Sequence, residues 1–312
     1  MEIFRSLEET KYNSKTILTV GTFDGIHSGH QKLLEKIISI AKTENLRSMV
    51  LTLDPHPQIV LKKSGKEPIK LLTTITERLM LFERFGIDCV TIIPFTEEFS
   101  RIQPEEFVRD YLYSKIGLSK LLIGYDHLFG KDRQGNAELL NKLSRELNFE
   151  VVTIEALQKD DVIVSSTKIR KALIDGNLEL ANKMLNYNYF VFGTVVKGDG
   201  RGKRIGYPTA NIKPESPNKL IPARGVYLVS SVIDWNKYYG MANIGFRPTF
   251  TDSTELTLEV NYFDFDKDIY NKALSVEFLS FIREERKFES LENFQKQLDK
   301  DKQICIEKVK KF

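Results

Sequence analysis

Near residue 188 the apolar pattern of this 312-residue chain changes period, and that change limits the folds open to it. Upstream, short apolar runs alternate with helical patterns. Strand candidates lie at 17–22, 47–53, 89–93, 120–124 and 150–154, and helix candidates near 29–44, 75–85, 104–114 and 136–148. Alternating βαβα order predicts an α/β fold, a doubly wound parallel sheet. Thr74-Ile75-Thr76-Glu77 reads as a capping box, and Gly86 as the stop of that helix. Downstream, runs rich in Val, Ile, Tyr, Phe and Thr recur at 189–196, 225–233, 238–244, 256–263 and 273–281, and no long helical pattern returns until about 291–311. That texture predicts a small antiparallel β-barrel or sandwich with a C-terminal helix. The joint falls near 186–188, giving domains 1–186 and 187–312.

The charge balance excludes some partners. Forty-six basic against 43 acidic residues leave a net charge of +3, with the lysines spread along the chain. That excess is too small to argue for nucleic acid. No apolar stretch approaches the roughly 20 residues that span a bilayer. The start, Met1-Glu2-Ile3-Phe4-Arg5, lacks the basic region and long apolar core of a signal peptide. Cys89 and Cys305, far apart in sequence, read as reduced structural thiols. The expectation is a cytoplasmic protein with neither a membrane nor a nucleic-acid partner. Lys308-Val309-Lys310-Lys311 reads as a solvated helix face or a fraying end.

Two of the four histidines fall in one glycine-rich box, Gly21-Thr22-Phe23-Asp24-Gly25-Ile26-His27-Ser28-Gly29-His30. The box follows an apolar run and precedes an amphipathic one (Leu33, Leu34, Ile37, Ile38, Ala41). Strand, glycine turn, then helix is where a parallel α/β sheet holds a phosphate. His27 and His30, at i and i+3, fall on one face of the first helical turn. Gly21, Gly25 and Gly29 permit tight turns and close approach of a nucleotide to bare backbone. Such a site stabilises charge building on an α-phosphate. The competing readings are two surface histidines beside an ordinary strand–helix turn, and a zinc site, for which nearby thiols are lacking.

A second phosphate element is Val164-Ser165-Ser166-Thr167-Lys168-Ile169-Arg170, which opens a helix that Gly176 ends. Hydroxyls at a helix start, with Lys and Arg one turn in, suit the β- and γ-phosphates of a triphosphate; the run is equally an ordinary helix start. In the downstream half, Gly193 to Asn211 carries a polar loop dense in glycine and basic residues. It is either a flexible loop that wraps phosphates or a solvated hairpin loop. It lacks the P-loop pattern, while Thr209 and Asn211 offer oxygens that a hard cation prefers.

Residues 21–30 resemble the HxGH box of the nucleotidylyltransferase superfamily, and 165–170 its second, SSTxIR-type element. The version from Thr22 to Gln31 is similar to that of bacterial FAD synthetases. So are Leu53-Asp54-Pro55-His56-Pro57 and residues 124–135, in which His127 stands where an aromatic is more usual. Read alone, His56 and His127 are also compatible with structural histidines. Gly206-Tyr207-Pro208-Thr209-Ala210-Asn211 resembles the PTAN motif of riboflavin kinases, with further matches at 242–250, at Leu256-Thr257-Leu258-Glu259-Val260 and at 281–288. The resemblance runs from about residue 5 to the terminal helix.

The resemblance implies a Rossmann-like nucleotidylyltransferase domain followed by a riboflavin kinase barrel. It implies ATP-dependent phosphorylation of riboflavin to FMN, then adenylylation of FMN by ATP to FAD with release of pyrophosphate. Its catalytic residues would be His27, His30 and Arg170 for adenylylation and Glu259 as the kinase base; a lone Glu on a strand is otherwise a solvated face residue. Gly21, Phe23, Asp24, Gly25, Gly29, Ser165, Ser166, Thr167 and Lys168 would bind the ATP that is cleaved at its α-phosphate. Pro55, His56, Pro57 and Asp126 would line the FMN side. In the kinase, Gly198, Gly202, Lys203, Gly206 and Pro208 would bind ATP, Thr209 and Asn211 would hold Mg2+, and Arg283 would contact flavin. The implied partners are the small molecules riboflavin, FMN and ATP, with Mg2+ accompanying ATP. No tightly bound redox cofactor is required, and co-purifying FMN or FAD is compatible with this scheme. The alternatives are a single-activity FMN adenylyltransferase with a disabled kinase half, and a flavin- or nucleic-acid-binding regulator on the same scaffold.

Overall fold

The structure, a computed structural model, describes residues 1–61, 68–124, 129–131, 134–154, 158–159, 162–198, 200, 202, 205–247 and 255–310. The chain divides into two compact units, Met1–Ser165 and Ser166–Phe312.

In the first unit β1 (Glu2–Phe4), β2 (Thr16–Gly21), β3 (Arg47–Asp54), β4 (Cys89–Pro94), β5 (Leu118–Gly124) and β6 (Glu150–Ile154) form one sheet. Its order is β1-β4-β3-β2-β5-β6, and every pairing is parallel. Successive strand residues point to opposite faces. Ile17 and Leu18 are both fully buried, as are Met49, Val50 and Leu51, so both faces of the central strands are covered. This is why these strands read in the sequence as unbroken apolar runs.

The crossovers follow the expected pattern. They are α1 (Ser28–Glu44), a short α2 (Pro57–Val60), α3 (Ile75–Phe85), α4 (Pro104–Glu106) running on into a π-helix (Phe107–Ile116), and α5 (Ala137–Leu147). α1 buries Leu34, Ile37 and Ala41 at spacings of three and four, one stripe of an amphipathic helix. The capping box at Thr74 and Glu77 is formed, and Gly86 caps α3 at φ +85°. The π-helix ends at Gly117, whose φ of +90° and closeness to the Asn13 carbonyl, 2.5 Å from where a Cβ would sit, both require glycine. A two-residue ladder, β7 (Gln158–Lys159) with β8 (Val162–Ile163), completes the described part of this unit.

From β2 the chain steps to β3 and β4 on one side, then crosses to β5 and β6 on the other. The strand order therefore reverses between β2 and β5. In doubly wound sheets the crevice beyond the carboxyl ends at this point is where ligands bind. The 21–30 box is the loop leaving β2 at that place.

The second unit begins with α6 (Ser166–Ile174) and α7 (Leu178–Leu185). Six strands follow: β9 (Phe190–Val196), β10 (Ala210–Pro214), β11 (Gly225–Ile233), β12 (Asn236–Arg247), β13 (Glu255–Tyr262) and β14 (Ala273–Arg283). They close into a barrel of order β10-β13-β12-β11-β14-β9 with every pair antiparallel, and α8 (Leu291–Val309) ends the chain's described part. Closure removes free sheet edges. The contact boundary precedes the change of pattern at 186–188 because both early helices are tied to barrel segments. Ala223 N–H donates to the Leu173 carbonyl (3.0 Å), and Asn182 Nδ2 donates to the Phe278 carbonyl (3.0 Å).

Several elements differ from the expectations, with α2, β7, β8 and the π-helix among them. β1 and α7 were not expected, being only three and eight residues long. The stretch read as one polar loop through Asn211 turns into strand β10 at Ala210. Ile212 is the only large apolar side chain of β10, too little to show a period of two among polar neighbours.

Candidate active site

The 21–30 turn is built around two unusual backbone positions. Phe23 (φ +49°) and Ile26 (φ +33°) are left-handed although neither is glycine. Such conformations cost on the order of 1–3 kcal/mol each and persist only where packing over-determines them. Here both side chains are buried, and the Phe23 ring meets Phe82 edge-on at 5.5 Å. The Asp24 carboxylate, also buried, accepts from Thr73 N–H (2.9 Å), and Thr73 Oγ1 accepts from Gly25 N–H (2.8 Å). At Gly25, φ is +88° and a Cβ would lie 2.7 Å from Leu72. Asp24 and Gly25 thus shape the loop, and their side of it faces the segment before α3.

His27 caps α1, a position where Ser, Thr, Asp or Asn is usual. Its Nδ1 accepts from His30 N–H (3.4 Å), which leaves the proton of the neutral ring on Nε2. Gly29 makes room for this: a Cβ there would sit 3.2 Å from His27 Nδ1 and Cε1. The two imidazoles stack, with centroids 3.8 Å apart and planes at 15°. His30 Nδ1 is buried without a hydrogen-bond partner among the described residues. The first turn of α1 itself carries no acidic side chain, and its free N–H groups add positive potential there. Two rings and a bare helix start together favour an anion.

Burial, opposed by nearby Asp24, pulls His27 down to about 4, and burial with the neighbouring His27 pulls His30 well below the usual histidine range. The sign of the resulting pH dependence follows from proton uptake. The unfolded chain takes up a proton near 6.5 that folded His27 refuses until about 4. Below 6.5 acid therefore favours unfolding; the contribution is intact above that pH and is lost toward 4. His27 alone should lower stability by about 2 kcal/mol at pH 5. Thermal melts between pH 7 and 4.5 check this: the His27→Gln variant should lose stability less steeply than the parent.

Beside this turn, β3 ends in Asp54 and a cis Asp54–Pro55 bond. His56 caps α2 in the same manner as His27, its Nδ1 accepting from Gln58 N–H (3.1 Å). Pro57 opens that helix, and Pro55 is exposed. Ser165 directly precedes α6, and Ser166, Thr167, Lys168 and Arg170 occupy its start, with Thr167 and Lys168 exposed. Asp126, His127 and Lys203 lie outside the described residues, as do residues 248–250 of the matched stretches.

In the barrel, register assembles a second constellation. Asn211 on β10 lies opposite Glu259 on β13, which lies opposite Asn243 on β12. Directly opposed residues share a face. Asn211, Glu259 and Asn243 therefore form one row across three strands. Thr209 Oγ1 donates to Glu259 Oε2 (3.2 Å). Gly198 runs against Asn211, and a Cβ there would fall 2.2 Å from its Nδ2. Asn261 Nδ2 donates to the Pro208 carbonyl (2.7 Å), while Tyr207 N–H donates to the Gly202 carbonyl (2.9 Å). Gly206, Tyr207 and Pro208 line an open cleft of ≈ 630 Å³ with Tyr262 and Phe265. α8 fixes two of these segments. Asp299 accepts from the Tyr207 hydroxyl, and fully buried Asp301 binds the Arg283 guanidinium bidentately (Nε–Oδ1 3.1 Å, Nη2–Oδ2 2.7 Å). Much of the Arg283 fork is thus engaged by the protein itself.

Comparison with known proteins addresses both halves. A family model for FAD synthetase matches residues 9–168, and one for riboflavin kinase matches residues 185–309. The chain is 37% identical to a bifunctional riboflavin kinase/FMN adenylyltransferase of Listeria monocytogenes, covering 92% of this chain and 90% of that one. The chain belongs to this bifunctional family. A relative of the same description in Buchnera aphidicola is 36% identical, over 100% of this chain and 99% of its own. The Escherichia coli relative is 34% identical, over 91% and 90%. A solved structure described as a macrolide-efflux protein of Streptococcus pneumoniae superposes with a TM-score of 0.86 at 32% identity, covering 97% of each chain. Among the described residues here, no helix is long and apolar enough to cross a membrane.

Within this family member, sequence reasoning missed Thr73, Arg78, Asn243 and Asp301. Asn243 was legible as part of a matched stretch. The others are charged or polar residues of ordinary-looking segments, and only burial marks them out: Arg78 is 2% exposed and Asp301 is fully buried. Among the described residues no group of three or more His, Cys, Asp or Glu is placed to hold a metal ion.

Proposed function

We infer that the chain makes FAD from riboflavin in two ATP-dependent steps, with residues 187–312 phosphorylating riboflavin and residues 1–186 adenylylating FMN. The stacked His27–His30 pair at a helix mouth, beside the strand-order reversal, carries this reading of the second step.

In adenylylation a phosphate oxygen of FMN attacks the α-phosphorus of ATP. The new P–O bond forms as the bond to the bridging α–β oxygen breaks, and pyrophosphate leaves. FMN phosphate is already anionic near neutral pH, so the step requires no strong base. His27 Nε2–H and the His30 ring donate to the α-phosphate oxygens as charge builds there. Ser165, Ser166, Lys168 and Arg170, with Thr167 beside them, steady the departing pyrophosphate. Pro55, His56, Pro57 and Asp126 hold the FMN side, and Gly21, Phe23 and Gly29 let the nucleotide approach the turn.

In phosphorylation Glu259 accepts the proton of the ribityl 5′-hydroxyl as its oxygen attacks the γ-phosphorus, and ADP leaves. The Thr209 hydroxyl orients that carboxylate. Gly198, Gly202, Lys203, Gly206 and Pro208 bind the nucleotide along the cleft, and Arg283, held by Asp301, borders the flavin. The oxygens of Thr209 and Asn211, with no side chain at Gly198 to crowd them, fit Mg2+. When bound with ATP, Mg2+ supplies charge neutralisation of the phosphates. The proposed working place is the cytoplasm.

The test is direct. The purified chain, given riboflavin, ATP and Mg2+, should yield FMN first and FAD later by timed chromatography. FAD formed only from added FMN would leave a disabled kinase half.

A further inference from the structure

Arg78 stands in the first turn of α3, almost wholly buried, with its guanidinium between the ends of two central strands. Nη1 lies within donating distance of the Thr22 carbonyl (2.9 Å), Thr52 Oγ1 (2.7 Å) and the Leu53 carbonyl (2.9 Å). Nη2 donates to Asp54 Oδ1 (2.7 Å). Thr22 begins the histidine turn, and Asp54 begins the turn that carries Pro55, His56 and Pro57. The same stretch of chain grips the histidine turn elsewhere, through Thr73 on Asp24, Leu72 under Gly25 and Phe82 against Phe23. Arg78 is the arm that reaches from there to the second turn.

We propose that Arg78 is a positioning residue that sets the spacing between the histidine turn and the Asp54 turn, and with it the alignment of FMN phosphate on the α-phosphate of ATP. This rests on assigning the two turns to the two substrates of adenylylation. The choice of arginine follows from geometry. A planar fork can serve acceptors on two strands at once, whereas a lysine ammonium is a single point on a flexible stem. In-line transfer is sensitive to such spacing, because a displacement of about 1 Å can cost on the order of 10²-fold in rate.

The test uses full-length Arg78→Lys and Asp54→Asn, with His30→Ala beside them, each assayed for FMN adenylylation and for riboflavin phosphorylation. Arg78→Lys should lower the adenylylation kcat by about 10- to 100-fold and leave phosphorylation unchanged. Asp54→Asn weakens the link from Arg78 to the second turn. It should raise KM for FMN by about fivefold while KM for ATP stays within about twofold. Full adenylylation kcat in Arg78→Lys overturns the proposal. So does an Asp54→Asn variant that moves both KM values together or neither, as does a loss that follows thermal stability and vanishes on cooling. Should Arg78→Lys fail to fold, the KM split in Asp54→Asn decides alone. If His30→Ala keeps adenylylation, the assignment of the turns falls and this proposal with it. If His30→Ala is inactive and Arg78→Lys fully active, only the positioning claim falls.

Discussion

In a His30→Ala variant, FAD formation should fall by about 10²- to 10³-fold while FMN continues to accumulate from riboflavin. The expectation follows from what the ring does in this turn. His30 stacks on His27 at 3.8 Å and leans on Phe23, so its removal takes away one donor and loosens a second. Burial keeps both rings neutral at physiological pH, so in the proposed step each would act as a directed N–H donor and not as a standing cation. A donor of that kind binds most strongly when the α-phosphate carries its greatest charge, at the transition state. The loss should therefore appear in kcat more than in KM for ATP. The measurement is a two-substrate assay, with riboflavin and ATP in one and FMN and ATP in the other. Loss of FMN formation alongside FAD formation would contradict the division of labour between the halves.

The complementary variant is Glu259→Ala, which should slow riboflavin phosphorylation by about 10²- to 10⁴-fold and leave FMN adenylylation intact. Glu259 stands in the middle of the row with Asn211 and Asn243, and Thr209 donates to it. Glu259→Gln sharpens the test. The amide can still accept from Thr209 through its oxygen but takes no proton from the substrate alcohol, so it should be nearly as slow as alanine. A kinase rate in either variant equal to that of the parent would remove Glu259 from the role of base.

Much of the fold was readable from apolar periodicity. The five long parallel strands, the crossovers and five barrel strands lie where the runs of Val, Ile and Leu place them. Short elements were harder. β10 has one large apolar residue, and its strand character comes from partners on both sides, β9 and β13, which are distant in sequence. The π-helix carries the same spacing of apolar residues as an α-helix over its length, so local pattern does not distinguish the two. The candidate site was legible wherever an unusual residue met a glycine, as at His27 and Gly29. It was illegible wherever an ordinary residue gains meaning by burial. Arg78 reads as one more charge on an amphipathic helix until Thr22 and Asp54 are seen on either side of its fork. Asp301 likewise looks like any acidic residue of a lysine-rich helix.

The row formed by Asn211, Glu259 and Asn243 limits how such a chain can vary in length. Side chains alternate along a strand, so inserting or deleting one residue upstream within β13 would turn Glu259 to the opposite side of the barrel wall. Phosphorylation would be lost though composition and hydrophobicity hardly change. Gaps that accumulate among descendants of this sequence should therefore fall in the turns between strands, and a single-residue gap inside β10, β12 or β13 would mark a lineage whose barrel has left flavin phosphorylation behind.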